Sequence, residues 1–343
     1  MVTIVDVARM AGVSTATVSH SFSAKRPVSR ETRERVLTVA ARAGYRPNHV
    51  AASMVTGRTR TIGMVVPDIA NPFFSELVRG AEAAAMAAGY MTIVCSSELD
   101  AVLEDRCVAV LGDKRVDALL YLPGTNRMHS RLADPALART PLVVIDEEIE
   151  ELPPGASVVT SDNEAGGAMA ARHLCELGHR EIGVVAGPPG LPTSKARLLG
   201  FADVLESRGI PLPPERVVHA THYTRDAGLA AGRALLAALP EITAVYCAND
   251  LIALGMVTAA AECGRQVGRD LSVAGFDDIF VSQLVSPALT TVRQPIARLG
   301  SEATRLALRA LAKRGKGPER MVLPVELVVR GSTAPAVASM AGA

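Results

Sequence analysis

The sequence predicts two parts of different class: a small all-α head, and an α/β body of two lobes, each a doubly wound parallel sheet. Three observations predict this. The first 46 residues carry three short helical patterns separated by turn and cap residues. From Thr61 onward, apolar runs of strand length alternate with helical stretches, the mark of βα repetition and of parallel sheets covered on both faces. Charge divides along the same line. Residues 1–60 hold ten Lys or Arg against three Asp or Glu, a net of +7, so the rest of the 343-residue chain carries −6 of the overall +1. A basic module on an acidic body suits a phosphate backbone as partner.

In the head, Ile4–Met10 form a first helix with Val7, Ala8 and Ala11 inward. Gly12 supplies the turn, and Ser14 caps the next helix. In Thr15–Phe22, Val18 and Phe22 face inward, and Thr15, Ala16, Ser19 and His20 face outward. Ser29 caps a third helix, where Val36, Val39, Ala40 and Ala43 recur at helical spacing before Gly44 ends it. Three helices with a Gly turn between the first two make a helix-turn-helix. The second helix is built from mediocre helix formers, and it holds no acidic residue. That composition fits close approach to DNA: hydroxyls bond phosphates or bases, small residues let a helix sink into the major groove, and no carboxylate repels the duplex. The plainer alternative is a three-helix bundle with a polar surface.

The stretch VTIVDVARMAGVSTATVSHSF, followed by VSRETRERVLTVAARAGYRPNHVA, closely resembles the DNA-binding head of the LacI/GalR family of bacterial transcription regulators. The resemblance runs through essentially the whole chain. It implies DNA contacts from Thr3, Ser14, Thr15, Ala16, Thr17, Ser19 and His20, with Thr15, Ala16 and His20 where the family reads bases. His20 stands where Arg is common, and Ser23 where Asn is common. A neutral His cannot offer guanine the paired donors of Arg, so the DNA sequence read should differ.

Next comes RPNHVAASMVTGRTRT. Pro47 stops the preceding helix, Asn48 can cap, and Gly57 can terminate. The helix between is too short to hold by itself, and by composition this is a plain linker. The resemblance implies more: two such hinge helices from a dimer pair in the minor groove, Ala51 allows their approach, and Met54 wedges between base pairs where Leu is usual. The domains are therefore 1–46 (head), 47–60 (hinge) and 61–343 (body).

In the body, TIGMVVPD, YMTIVCSS, VDALLYLPG and TPLVVIDEE read as strands, followed by SVVTSDN, EIGVVAGPP, ERVVHATHY, ITAVYCAND and LSVAGFDDI. About nine strands suggest two sheets with a cleft between. LTTVRQP, one more helix and the strand-like RMVLPVELVVRGS remain. The resemblance implies the architecture of periplasmic binding proteins, with three crossings that divide a near lobe (61–159 and 291–321) from a far lobe (160–290 and 322–343). Ligands bind at the carboxyl ends of such strands. There lie Asp68, Asn71, Asp146, Asn249, Asp250, Asp277 and Asp278, each also an ordinary cap or turn former. Asn71 is kept as an effector contact. The resemblance selects Phe73, Phe74, Asp146, Thr193, Arg197, Tyr223, Asn249 and Asp277 beside it, with Tyr223 as the flat wall in a chain without Trp. The acidic run DEEIEEL that begins at Asp146 departs from many members.

No catalytic, metal or cofactor chemistry is expected. His219 and His222 lie three apart on an expected strand, on opposite faces. His173, Cys175 and His179 do not share a helix face. No GxGxxG follows the first strand, and no GxxxxGK[ST] occurs. Five scattered cysteines without a CxxC fit a reducing cytosol, and the absence of a long apolar run argues against a membrane. The expectation is a cytoplasmic, sequence-specific transcription regulator, a repressor, on a palindromic operator. It acts as a homodimer or a pair of dimers, and a sugar-like or purine-like effector binds between its lobes. The Ala-rich helix after Phe74 is the expected dimer contact. The rivals are a sugar-processing enzyme with a basic head, a solute-binding transport protein, and an architectural DNA-binding protein without ligand control.

Overall fold

The computed structural model describes residues 2–23, 26–45, 58–113, 116–124, 132, 137, 140–147, 149, 151–312 and 317–336, leaving aside the side chain of Ser23. The chain divides into two compact units, residues 1–59 and 60–343.

The first unit holds α1 (Ile4–Ala11), α2 (Thr15–Ser23) and α3 (Arg30–Arg42). Thr3 and Asp6 form a capping box on α1, and Gly12 ends it with a left-handed φ of 64°. Ser14 and Ser29 each accept a backbone N–H at the start of α2 and α3, at 3.1 and 3.2 Å. Val7, Ala8, Ala11, Val18, Val36 and Ala40 make the core, with Phe22 and Tyr45 against it. Arg33 ties α3 to α2 by donating to the Ser21 carbonyl at 3.1 Å.

The second unit holds two six-stranded sheets. The first takes β1 (Thr61–Val66), β2 (Met91–Ser96), β3 (Ala118–Tyr121), β4 (Leu142–Ile145), β5 (Ser157–Ser161) and β11 (Arg320–Leu323), in the order β11-β5-β4-β3-β1-β2. The second takes β6 (Ile182–Ala186), β7 (Val217–His219), β8 (Ala244–Cys247), β9 (Ser272–Asp277), β10 (Thr290–Arg293) and β12 (Glu326–Val328), in the order β12-β10-β9-β8-β6-β7. All pairings are parallel except β10 with β12. The first sheet is covered by α4 (Pro72–Ala87), α5 (Ala101–Asp113) and α10 (Ile296–Leu311), and the second by α6 (Asn163–Glu176), α7 (Pro192–Ser207), α8 (Arg225–Ala238) and α9 (Asp250–Glu262). Each sheet has a buried apolar cluster on both faces.

Two details differ from the sequence reading. RMVLPVELVVRGS is two strands in different sheets, β11 and β12, because Pro324 has no N–H to continue the ladder. The crossings fall at 162, 294–295 and 324–325, two to four residues beyond the expected 159/160, 290/291 and 321/322. Each strand completes its pairing before the chain leaves: Ser161 still pairs with Leu323, and Arg293 with Asp277.

Three helix pairs dock through reciprocal glycines. A Cβ on Gly80 of α4 would meet the Ala297 carbonyl oxygen at 2.0 Å, and one on Gly300 of α10 the Leu77 oxygen at 2.1 Å. Gly167 and Gly200 do the same for α6 and α7, and Gly228 and Gly255 for α8 and α9. The lobes also share an apolar contact: Ile279, from the loop after β9, is buried in the first sheet's core, where Leu251 and Val281 pack beside it.

Candidate functional site

In the head, α2 presents Thr15, Ala16 and Ser19 to solvent, while Thr17 is half-buried. His20 corrects the sequence reading. It is half-buried rather than outward, and its Nδ1 is enclosed with no partner among the described residues. Two expected DNA contacts already serve as caps. Thr3 bonds Asp6, and Ser14 bonds both the backbone and, at 2.9 Å, the hydroxyl of Thr17. Asn48, Ala51 and Met54 lie outside the described residues.

In the body, a network of polar side chains gathers on the far-lobe side of the cleft, and Arg197 is its centre. The reciprocal glycines seat α7 so close to α6 that Arg197 is 3% exposed. Its Nε donates to Asn163 Oδ1 at 2.7 Å and its Nη1 to the Ala248 carbonyl at 2.8 Å. Its Nη1 lies 3.5 Å from Asp277 Oδ1, and the guanidinium sits 3.9 Å from the centre of the Phe276 ring. Gln294 donates to Asp277 at 2.7 Å. Asn249 caps α9 by accepting from Ile252 N–H at 2.9 Å, and its side chain helps hold the Asp277 carboxyl down. Burial pushes the Asp277 carboxyl up to about 7, against the pull of Arg197 and Gln294.

One turn before Arg197, Thr193 meets the near lobe. Its hydroxyl and backbone N–H both donate to the carboxylate of Glu147, the N–H at 3.1 Å. Its hydroxyl lies 3.3 Å from that of Tyr223. The first residue of the α7 cap is Leu191, which makes no side-chain cap bond. Glu147, from the loop after β4, therefore caps α7 from the other lobe, where an anion meets unpaired N–H groups and the positive helix end. Burial, and then the neighbouring Asp146, push the Glu147 carboxyl up to about 7.

Asp146 holds a left-handed φ of 68°, and Asp277 at the end of β9 a φ of 112°. Such backbone is costly for a non-glycine residue and collects at functional sites. Asp146 is buried, its Oδ1 has no partner among the described residues, and burial raises its carboxyl despite Arg197. It lines a cavity of about 430 Å³, together with Thr160, Asn163, Glu164, Thr193 and Arg320. The cavity sits where β4 and β5 end and α6 and α7 begin, alongside β11.

The structure thus brings Asp146, Thr193, Arg197, Tyr223, Asn249 and Asp277 into one connected neighbourhood. Asn71, Phe73 and Phe74 are used elsewhere. Asn71 caps α4 by accepting from Phe73 N–H at 3.0 Å, Phe73 is buried in the near-lobe core, and Phe74 packs edge-on to it at 5.2 Å. No described hydrogen bond or ion pair joins them to the Arg197 network. Three participants escaped the sequence reading: Glu147, Asn163 and Gly187. A Cβ on Gly187 would strike the Tyr223 ring at 2.6 Å, so glycine seats the aromatic. The residue pattern SDNEAGG does place Asn163 at a helix start; nothing in the sequence marks Glu147 as a residue that turns inward. Among the described residues no cluster of His, Cys, Asp and Glu could hold a metal. His219 bonds the Gly187 carbonyl at 3.0 Å, and His179 bonds Thr243 and Ser272, both at 2.9 Å.

Residues 3–48 match the family model of bacterial regulatory proteins, lacI family, and residues 171–333 match the periplasmic binding protein-like domain. The HTH-type transcriptional regulator DegA of Bacillus subtilis is 36% identical over 97% of this chain and 98% of its own length. The chain belongs to the lacI family. The HTH-type transcriptional repressor PurR of Haemophilus influenzae is 33% identical over 97% of this chain and 98% of its own. A crystal structure of the lac repressor dimer bound to operator and the anti-inducer ONPF superposes with a TM-score of 0.84, at 28% identity, over 97% of this chain and 99% of that one. As a lacI-family member the protein is an effector-responsive transcription regulator with a helix-turn-helix head, and not an enzyme.

Proposed function

We propose that the protein represses transcription from a two-fold symmetric operator, as a homodimer whose grip is set by a neutral, hydroxyl-rich effector of the sugar class held between the lobes. The observation that carries the effector reading is Asp146 itself, which lines a cavity that both lobes border and whose buried Oδ1 has no partner among the described residues. A buried acceptor without a donor costs free energy, and a ligand hydroxyl supplies that donor. About 430 Å³ suits a mono- or disaccharide. Asp146, Asp162 and Glu164 face the cavity against one cation, Arg320, which disfavours phosphorylated or carboxylated ligands. A purine is the second reading, favoured by the ring of Tyr223, which lies 5.8 Å from the Arg197 guanidinium and offers a stacking face beside Thr193.

In this reading Thr15, Ala16, Thr17, Ser19 and His20 read bases or phosphates, Thr3 and Ser14 hold the helix ends toward phosphates, and Asn48, Ala51 and Met54 form the hinge at the operator centre. Effector contacts come from Asp146, Thr193, Arg197, Tyr223, Asn249 and Asp277. Asn71, Phe73 and Phe74 form the near-lobe wall. One head buries too little surface for specific binding, so the operator needs two. The near lobe offers the second copy an edge. β2 is the last strand of its sheet, and Met91, Ile93 and Val94 on it are exposed, as is Met86 at the end of α4. A regulator of the chromosome works in the cytoplasm, and among the described residues no helix is long and apolar enough to cross a membrane.

The deciding experiment selects DNA from a random pool with the purified protein, with and without neutral, phosphorylated and purine ligands. An inverted repeat whose recovery a neutral sugar changes is the expected outcome. Recovery of no repeat under any condition overturns the operator reading, and a response confined to phosphorylated ligands overturns the effector reading.

A further inference from the structure

Two thiols of the near lobe have no part in the readings above. Cys95 sits on β2, in register with Val65 of β1, and Cys107 sits on α5. The Sγ of Cys107 lies 3.7 Å from the carbonyl oxygen of Ser96, so this turn of α5 rests directly on β2. Ser96 directly follows Cys95, and both cysteines pack against the same apolar cluster, so the two side chains share one small region of the near lobe. Both are free and half-buried. The other cysteines, Cys175, Cys247 and Cys263, sit on α6, on β8 and just beyond α9, all in the far lobe.

We propose that Cys95 and Cys107 are a peroxide-reactive dithiol that closes to a disulfide, and that this bond tunes the dimer edge formed by β2. The balance is that of two thiols and one hydroperoxide. The sulfur of Cys95 attacks the peroxide; its S–O bond forms as the O–O bond breaks, and the departing oxygen leaves as water or an alcohol with the thiol proton. The Cys107 sulfur then displaces the hydroxyl of the sulfenic acid; the S–S bond forms, the S–O bond breaks, and a second water carries off the Cys107 proton. The two thiols supply both electrons. Burial, and then the neighbouring Cys95, push the Cys107 thiol up to about 11, so Cys107 keeps its proton and serves as the resolving group. With Cys107 as the resolving group, Cys95 on β2 is the attacking thiol. A disulfide fixes the Cβ separation and so pins α5 onto β2. Both elements carry exposed apolar residues, Val102 and Val110 on α5, Ile93 and Val94 on β2. The second half of the proposal rests on the dimer edge proposed above.

The test treats the full-length protein with hydrogen peroxide, blocks the remaining thiols, and maps the products by mass spectrometry. The expected result is a loss of about two hydrogens per chain, located in one peptide pair joining Cys95 to Cys107, reversed by dithiothreitol, and absent from Cys95→Ser and Cys107→Ser. Sedimentation of the oxidised and reduced forms then shows the dimer dissociation constant shifted by about threefold or more. Oxygen added to Cys95 while Cys107 stays free, or disulfides joining other cysteines, overturns the dithiol. The Cys95–Cys107 bond with an unchanged dissociation constant overturns the tuning and leaves the dithiol standing. A variant of the β2 edge that leaves the reduced dimer intact overturns the edge reading and not the dithiol.

Discussion

The two lobes of the body are built to one plan and put to different uses. Each has six strands, helices on both faces, and helix pairs locked by reciprocal glycines. Each ends a central strand in an aspartate with a positive φ, Asp146 after β4 and Asp277 on β9. The difference lies in what meets those aspartates. Asp277 is fully engaged: Arg197, Gln294 and Asn249 all reach it. Asp146 has an unpartnered oxygen, and its neighbour Glu147 spends its carboxylate on the other lobe. The far lobe is thus pre-organised, while the near lobe contributes groups whose partners must come from across the cleft. A site divided in this way can report closure, because only one half is satisfied by its own lobe.

The largest test removes the far lobe's centre. Arg197→Met keeps much of the volume and deletes the charge. It strands Asp277, the Asn163 amide oxygen and the Ala248 carbonyl in a buried site, at a cost of about 3–5 kcal/mol of unfolding free energy. Chemical denaturation reads that loss, and a reporter under the selected operator should no longer respond to the effector. A variant that keeps both normal stability and normal response would dissolve the contrast between the lobes.

Next come the glycines. Gly200→Ala places a Cβ about 2.0 Å from the Glu164 carbonyl, and Gly80→Ala does the same against Ala297. Each should cost roughly 1–3 kcal/mol through helix separation. The two then part company. Gly200→Ala shifts the helix that bears Thr193 and Arg197 and weakens effector binding strongly; Gly80→Ala shifts α4 against α10 and, reaching the effector only through the near-lobe wall, lowers its affinity less in calorimetry. Equal losses of affinity would show that the effector depends on both lobes' packing alike.

Glu147 sharpens the comparison through pH. Its carboxyl is raised to about 7 in the fold. A raised acid binds its proton more tightly folded than unfolded. Its contribution is therefore complete below the unfolded value near 4.5 and is lost as pH climbs through about 7. Glu147→Gln keeps an acceptor for Thr193 N–H and removes that dependence. Relative to wild type, the variant should gain about 1–3 kcal/mol between pH 5 and pH 8. Melting temperatures across that range check it. Parallel curves would mean that Glu147 stays ionised and that the cap across the cleft carries no proton linkage.

How much of this could be read beforehand follows from where the signals lie. The helix-turn-helix and the βα alternation are local: caps such as Ser14 and Ser29, the turn at Gly12 and the period of the apolar runs are written in adjacent residues. Thr193, Arg197 and Tyr223 were selected by the family resemblance alone, and the structure puts the first two beside Tyr223. Other features are products of tertiary packing. In the sequence DEEIEEL stands out only as a departure from many family members, and the bond to Thr193 that makes Glu147 a cap appears only where α7 approaches. His20 looks outward by helical position, yet the residue is half-buried and its Nδ1 enclosed. The positive φ of Asp146 leaves no composition signal, because aspartate at a strand end is an ordinary turn former.

The smallest expected effect tests the near lobe's second task. If the β2 edge faces another copy, Val94→Lys places a charge where an apolar contact is needed, on a residue already 36% exposed in the single chain. Folding stability should therefore change little, since an exposed strand position tolerates lysine and β2 keeps its pairing with β1. Dimer association should weaken by about tenfold, roughly 1.4 kcal/mol, because one charge is desolvated at each of two symmetric contacts. The matching change on the far lobe's edge strand, Val218→Lys on β7, serves as the control and should leave the dimer intact. Sedimentation velocity at micromolar concentration separates the two. If both edges respond alike, the lobes share the dimer contact, and the asymmetry argued here is confined to the effector site.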